Sequence, residues 1–143
     1  MKNLLSGYSA VIITGASSGI GESFLDSIVK LDQNIFICNL SRRKQKIIIS
    51  EERFRHIACD LSKADNIKSA FFEVCKILEE KKLEGPLLLI NNSGFGDYCA
   101  FQDAEVQKQL DMIAVNISAV VHWIGLFLPG MVKRYCLLAL KYR

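Results

Sequence analysis

The sequence lacks the features that mark several functional classes. Its five cysteines, Cys38, Cys59, Cys75, Cys99 and Cys136, include no closely spaced pair, and their number is odd. This spacing fits neither a disulfide framework nor a zinc site. It predicts buried free thiols in a reducing cytoplasm and no bound metal. The net charge of +3 is mild, and the absence of a basic stripe interleaved with aromatic residues argues against a nucleic-acid partner.

Signals for export or for a membrane span are also weak. The N-terminal stretch MKNLLSGYSA has one lysine and no long apolar run, so we predict no signal peptide. Residues 117–132 are strongly apolar, but a spanning helix needs about 20 apolar residues, and this shorter stretch contains His122, Gly125 and Pro129. We therefore expect a buried or interface helix, with His122 packed or at an interface rather than catalytic.

Apolar runs alternate with helical patterns along most of the chain. Strands are predicted at Ala10–Thr14, Asn34–Leu40 and Phe54–Leu61, and Gly85–Gly94 is predicted as a fourth strand that ends in a polar turn. Helices are predicted at Glu22–Leu31, at Asn66–Lys82 and from Asp103 onward. The alternation predicts a single α/β domain over 1–143, of Rossmann type, with a doubly wound parallel sheet. Because no further strand–helix unit follows, we expect the C-terminal half of this fold to be incomplete.

The stretch VIITGASSGIG places glycines between a strand and a helix. Gly15 allows a tight turn, Gly19 allows a ligand to approach the backbone, and Gly21 allows the helix to pack closely. A helix start presents unpaired N–H groups and the positive end of the helix dipole, which together form a phosphate site, and Ser17 and Ser18 add hydroxyl donors. A purely structural turn is the alternative, but this context favours dinucleotide binding.

Four motifs resemble those of the classical short-chain dehydrogenase/reductase family and occur in the same order: TGASSGIG, CDL, NNSG and VNISA. The resemblance covers nearly the whole chain. The resemblance implies a nicotinamide dinucleotide bound by these segments. Asp60 would lie against the adenine amino group and Leu61 beside the ring, while Asn116 would be the helical asparagine of the catalytic tetrad. Ser93 stands where the family has alanine. The implied cofactor-binding residues in these motifs are Gly15, Ser17, Ser18, Gly19, Ile20, Gly21, Asp60, Leu61, Asn92 and Gly94.

The residues after the second strand bear on the choice of cofactor. An acidic residue about twenty positions beyond the last glycine would hold the ribose hydroxyls of NAD. The local sequence NLSRR has no acid, whereas Arg42 and Arg43 can pair with a 2′-phosphate. We predict NADP rather than NAD, with Arg42 as the first candidate. An ordinary solvated run of charges is the alternative.

The family chemistry implied is hydride transfer between the nicotinamide and a carbonyl or alcohol carbon, with a tyrosine tuned by a lysine supplying the proton. The sequence contains no Tyr-x-x-x-Lys, and the expected serine would fall at or beyond Arg143, so only Asn116 of the tetrad is matched. One interpretation is a truncated oxidoreductase with an atypical tail at 135–143. The other is a non-catalytic nucleotide-binding or interaction module that works as an oligomer or with a partner chain. The abrupt end of the match favours truncation.

Further expectations concern exposed surfaces. The apolar helix after Asn116 predicts a homo-oligomer or an aggregation-prone chain, and in the family this helix helps to build the subunit interface. The fourth strand is expected to be a sheet edge, against which Tyr135–Leu140 can pair as a replacement fifth strand. Phe95 and Phe101 either line a pocket for an apolar carbonyl compound or fill the core beneath their loop.

Overall fold

A four-stranded parallel sheet lies at the centre of the structure, a computed structural model that describes residues 4–133. The strands are β1 (Ala10–Thr14), β2 (Phe36–Ser41), β3 (Phe54–Ala58) and β4 (Leu87–Ile90), in the order β3-β2-β1-β4. The central strands β1 and β2 are buried along their whole length, as expected of strands that are covered on both faces.

Helices cover both faces of this sheet. They are α1 (Gly19–Leu31), α2 (Ala64–Glu80), α3 (Val106–Ile113) and α4 (Ala119–Lys133), and a wide π-helical turn at Ala114–Ser118 joins α3 to α4. Residues of α1 pack in one apolar cluster with one face of the sheet, and residues of α2 and α4 pack in a second cluster with the other. The predicted doubly wound α/β fold is therefore confirmed.

Alternation along the strands divides the core between the two faces. Val11 and Ile13 of β1 lie in the α1 cluster, whereas Ile12 lies in the α2–α4 cluster. This follows from the strand geometry, in which successive side chains point to opposite faces of a sheet. The apolar run of β1 is therefore needed on both sides.

Two predicted boundaries were wrong in ways that affect the site. The first helix begins at Gly19 rather than at Glu22, so Gly19 and Gly21 form part of its first turn. The third strand ends at Ala58 rather than at Leu61, so Asp60 lies in a loop beyond the sheet. β4 ends the sheet formed by residues 4–133, as predicted, and the proposed pairing of Tyr135–Leu140 lies outside the described residues.

Helix α4 is buried on one side and open on another. Trp123 and Phe127 lie in the core, where Phe127 meets Phe71 of α2 edge to face, with ring centroids 5.0 Å apart. By length and composition alone, the continuous helix Val106–Lys133 is long and apolar enough to cross a membrane. His122 is exposed, so of its two expected places, packed or at an interface, the interface is the one that stays a prediction.

The cysteines are only partly buried, contrary to the expectation from their spacing. Cys38 and Cys59 are buried, and burial raises their pKa values to about 12 and about 11. Cys75 is half-buried and Cys99 is exposed, because it lies in the loop between β4 and α3 rather than in the sheet. Cys136 lies outside the described residues.

Candidate functional site

An open cleft of about 670 Å³ lies at the carboxyl ends of the strands. β2 lies on one side of β1 and β4 on the other, so the strand order reverses at β1. Ligands of open α/β sheets bind at such a switch point. The lining brings together all of the cofactor-binding residues predicted from the sequence, which are Gly15, Ser17, Ser18, Gly19, Ile20, Gly21, Arg42, Asp60, Leu61, Asn92 and Gly94.

The glycine-rich turn leaves the start of α1 accessible. Gly15 and Gly19 have φ angles of +73° and +60°, in the left-handed region that glycine adopts without strain. A Cβ atom on Gly19 would meet nothing within 4 Å, so the backbone there is open to an approaching group. No side-chain hydrogen bond from Ser18 caps α1, and the first amides of a helix have no partner within it. These amides can therefore bind an anion.

Gly21 serves packing rather than ligand access. A Cβ atom at this position would overlap the carbonyl oxygen of Gly15 and the side-chain nitrogen of Asn92. Helix α1 thus lies directly against the turn that precedes it, and only a residue without a side chain fits there. The sequence-based role for Gly21, close helix packing, agrees with this contact.

Hydrogen bonds join the end of β1 to the loop after β4. The hydroxyl oxygen of Thr14 accepts bonds from the backbone N–H groups of Asn92 and Ser93, at 3.0 and 3.1 Å. The side-chain nitrogen of Asn92 donates to the carbonyl oxygens of Thr14 and Gly15, at 3.1 and 3.3 Å. Asn92 therefore holds the glycine-rich turn from the β4 side. Sequence reasoning missed Thr14, which read only as part of an apolar strand.

Two exposed arginines form the rim beyond β2. Arg42 and Arg43 both line the cleft and are exposed to solvent. The Ser41 hydroxyl donates to the carbonyl oxygen of Arg43 at 2.7 Å, which fixes the bend that carries both arginines. A ring nitrogen of His56, on β3, lies 2.9 Å from the carbonyl oxygen of Ser41 and supports the same bend.

Asp60 lies in the loop after β3. Its Oδ1 accepts hydrogen bonds from the Ser62 hydroxyl at 2.8 Å and from the Ser62 N–H at 3.1 Å. Burial acts to raise the pKa of Asp60, but the bonds from Ser62 and the charges of Lys63 and Arg42 outweigh it and lower the pKa. The carboxylate therefore stays ionised near neutral pH and can accept a hydrogen bond from an amino group.

Asn116 lies in the π-helical turn, where it is paired with the loop after Gly94. Its side-chain oxygen accepts a bond from the Phe95 N–H at 3.1 Å, and its side-chain nitrogen donates to the Phe95 carbonyl at 2.9 Å. Asn116 does not line the cleft itself, and its predicted catalytic role stays a prediction. Phe95 is 38% exposed and lines the cleft, and Phe101 is 83% exposed, so neither fills the core.

A polar cluster joins the loop after Gly94 to α3. The Asp97 carboxylate accepts bonds from Lys108 Nζ and, at 3.0 Å, from Gln109 Nε2, both on α3. The Lys108 bond lowers the pKa of Asp97 and raises that of Lys108. Lys108 also lines the cleft. No local pattern predicts this pairing, because the partners are separated in the chain and meet only when the loop folds back onto α3.

Comparisons with known proteins agree on one family. A family model described as short chain dehydrogenase matches residues 9–135. The chain is 28% identical over 133 residues to hydroxysteroid dehydrogenase-like protein 1 of Gallus gallus, which covers 86% of this chain and 38% of that protein. The structure of a metagenomic short-chain oxidoreductase in complex with NADP is similar at a TM-score of 0.72 and 28% identity, over 90% of this chain and 58% of that one.

A further similar structure carries the other cofactor. A short chain dehydrogenase from Leptospira borgpetersenii with bound NAD+ gives a TM-score of 0.68 at 21% identity, over 88% of this chain and 45% of that chain. The chain spans between 38% and 58% of the length of these three proteins.

Proposed function

Because the chain belongs to the short-chain dehydrogenase family, we propose that it is the nucleotide-binding part of an NADP(H)-preferring oxidoreductase that acts on a carbonyl or alcohol. The observation that carries this proposal is the convergence of the segments after β1, β2, β3 and β4 around the uncapped start of α1. The residues present fit the cofactor, since the turn at Gly19 has room for a phosphate group and the helix amides there supply donors.

Each part of the cleft then has a role in holding the cofactor. The α1 amides with Ser17 and Ser18 bind the diphosphate, and Asp60 and Leu61 bind the adenine. A bound nicotinamide supplies or accepts the hydride. Phe95, held by Asn116, is an apolar side chain of the loop after Gly94 that lines the cleft, and an apolar carbonyl compound is the substrate class that suits it.

The preference for NADP depends on the arginines at the rim. A guanidinium group can bind a 2′-phosphate through paired, charge-assisted hydrogen bonds, and the bend after β2 carries Arg42 and Arg43 but no carboxylate. We therefore expect the chain to bind NADPH more tightly than NADH. A fluorescence titration of each nucleotide tests this, and if folded protein binds neither at saturating concentration, the proposed function is wrong.

The change Arg42→Asp is expected to weaken NADPH binding by at least about tenfold and to leave NADH binding unchanged or tighter. Hydrogen bonds to charged groups contribute roughly 1.5–3 kcal/mol, and about 1.4 kcal/mol corresponds to a factor of ten in affinity. Lys44→Asp is the matched control, because it makes the same change in charge at an exposed residue that does not line the cleft. Unchanged NADPH affinity in the Arg42→Asp variant would contradict the assignment.

The apolar stripe along α3 and α4 supports the proposal that the chain assembles with copies of itself. Its exposed side chains recur every three or four residues, as in helices that pair side by side: Val106, Leu110, Ile113, Ile117, Val121, Ile124, Leu128 and Val132. At 1.5 Å per residue, the stripe is roughly 40 Å long. A stripe of this kind rarely remains exposed in a monomer.

Charges placed in the stripe are expected to break the assembly. The double change Ile117→Glu and Val121→Glu should shift the mass measured by light scattering from that of an oligomer to that of a monomer, because it buries two carboxylates in the paired surface. Ser69→Glu adds a charge at an exposed position of α2, outside the stripe, and should leave the mass unchanged. A monomeric wild-type chain at micromolar concentration would contradict the proposal.

A further inference from the structure

Asn39 is a polar side chain inside an apolar strand, and it is fully buried. It lies in β2, in register with Ile13 of β1 and His56 of β3. Ile37, two residues earlier, belongs to the core cluster beneath α1, so Asn39 points to that same face of the sheet. A buried amide is costly unless it is hydrogen-bonded. A hydrogen-bond partner is therefore expected for the Asn39 side chain.

The oxygen of this amide bonds to the glycine-rich turn. Asn39 Oδ1 accepts a hydrogen bond from the backbone N–H of Ala16 at 3.1 Å. One residue earlier, the Gly15 N–H donates to the carbonyl oxygen of Leu40 at 3.0 Å. The contact between the first two strands thus continues past the end of β1, and a side chain replaces the backbone as the acceptor. Asn39 Nδ2 has no hydrogen-bond partner within residues 4–133, so the oxygen alone makes this link.

We propose that Asn39 is a positioning residue for the diphosphate of the nucleotide, a role that rests on the proposed function. Asn92 bonds to the carbonyl oxygens of Thr14 and Gly15 from the β4 side, and Asn39 bonds to Ala16 from the β2 side. The turn is therefore held by both strands that flank β1. A turn fixed in this way presents the α1 amides in one orientation before the nucleotide arrives, and affinity rises because less ordering is needed on binding.

The substitution Asn39→Leu tests this role, because leucine has a similar branched shape but no acceptor. We expect the affinities for NADPH and NADH to fall by the same factor, at least about tenfold, since the diphosphate is common to both and a buried donor is left unpaired. Hydrogen exchange of the Ala16 amide should become faster in the free protein. Ile37→Val alters the same strand and the same core face without touching the turn, and it should change neither affinity by more than about twofold.

The outcomes separate this inference from the function on which it rests. Unchanged affinity for both nucleotides in folded Asn39→Leu overturns the positioning role, and so does a loss confined to NADPH, which points to the 2′-phosphate instead. Wild-type protein that binds neither nucleotide overturns the proposed function. Should Asn39→Leu not fold, Asn39→Thr provides the same test, because threonine favours strands and its hydroxyl is too short to reach Ala16.

Discussion

Replacing Gly21 by alanine is expected to remove measurable binding of NADPH and NADH alike. The added Cβ atom overlaps the Gly15 carbonyl oxygen, which is backbone, and the Asn92 nitrogen, which is fixed by its own hydrogen bonds. Neither neighbour can move without opening the turn, so α1 must shift away from β1. Overpacking of this kind costs roughly 1–3 kcal/mol of folding free energy. Because the same shift misplaces the helix amides, we expect the affinity to fall by more than about a hundredfold, or roughly 2.7 kcal/mol.

Gly125→Ala is the control for this substitution. Gly125 lies within α4, where an added Cβ atom would meet nothing within 4 Å. Alanine in a helix interior is favoured over glycine by roughly 0.5–1 kcal/mol, so this variant should be slightly more stable and should bind both nucleotides as the wild type does. Thermal melting followed by circular dichroism and nucleotide titration give the two measurements. Wild-type affinity in Gly21→Ala would show that close packing of α1 on the turn is not required for the site.

Replacing Trp123 by alanine is expected to lower the free energy of unfolding by roughly 3–5 kcal/mol. The indole is 0% exposed and stacks on Phe127, with ring centroids 5.7 Å apart, and Phe127 in turn meets Phe71 of α2. These rings join α4 to α2 over the sheet. Loss of the indole leaves a large cavity in the apolar cluster that α4 shares with α2 and the sheet.

Urea denaturation measures this effect. Ile48→Ala removes an apolar side chain that is 98% exposed and lies outside the stripe, so it should change stability by no more than about 0.5 kcal/mol. Trp123→Phe should cost less than Trp123→Ala, because it keeps an aromatic ring and removes an indole N–H that has no hydrogen-bond partner within residues 4–133. A loss below about 1 kcal/mol for Trp123→Ala would indicate that α4 is held mainly by contacts elsewhere.

The strands, the helices and the glycine-rich turn were all predictable because their signals are local. Apolar runs such as Val11 to Thr14 satisfy a strand buried on both faces, and the spacing of Ile67, Ala70 and Val74 matches the buried side of α2. Boundaries were less certain. Gly19 begins α1 despite its positive φ, because the turn and the helix share residues, which a pattern of apolar residues does not reveal.

Sequence patterns did not predict the roles of Asn39 and Thr14, which support the site, although Asn39 has a recognisable sequence signal. Asn39 interrupts the apolar run NIFICNL, and a polar residue inside a buried strand points to a specific partner. Thr14 has no such signal, because threonine is common in strands. Its hydroxyl gains two donors only when the loop after β4 lies beside β1.

The sequence by itself determined the alternation of strands and helices, the glycines at the start of α1 and the arginines without an acid after β2. These depend on the properties of single residues and their neighbours in the chain. Tertiary structure alone decided that Asn39 and Asn92 bond to the same turn from opposite sides and that Asn116 holds Phe95. Each of these pairs residues that are distant in the chain, and their contact is fixed only by strand order and by the packing of helices on the sheet.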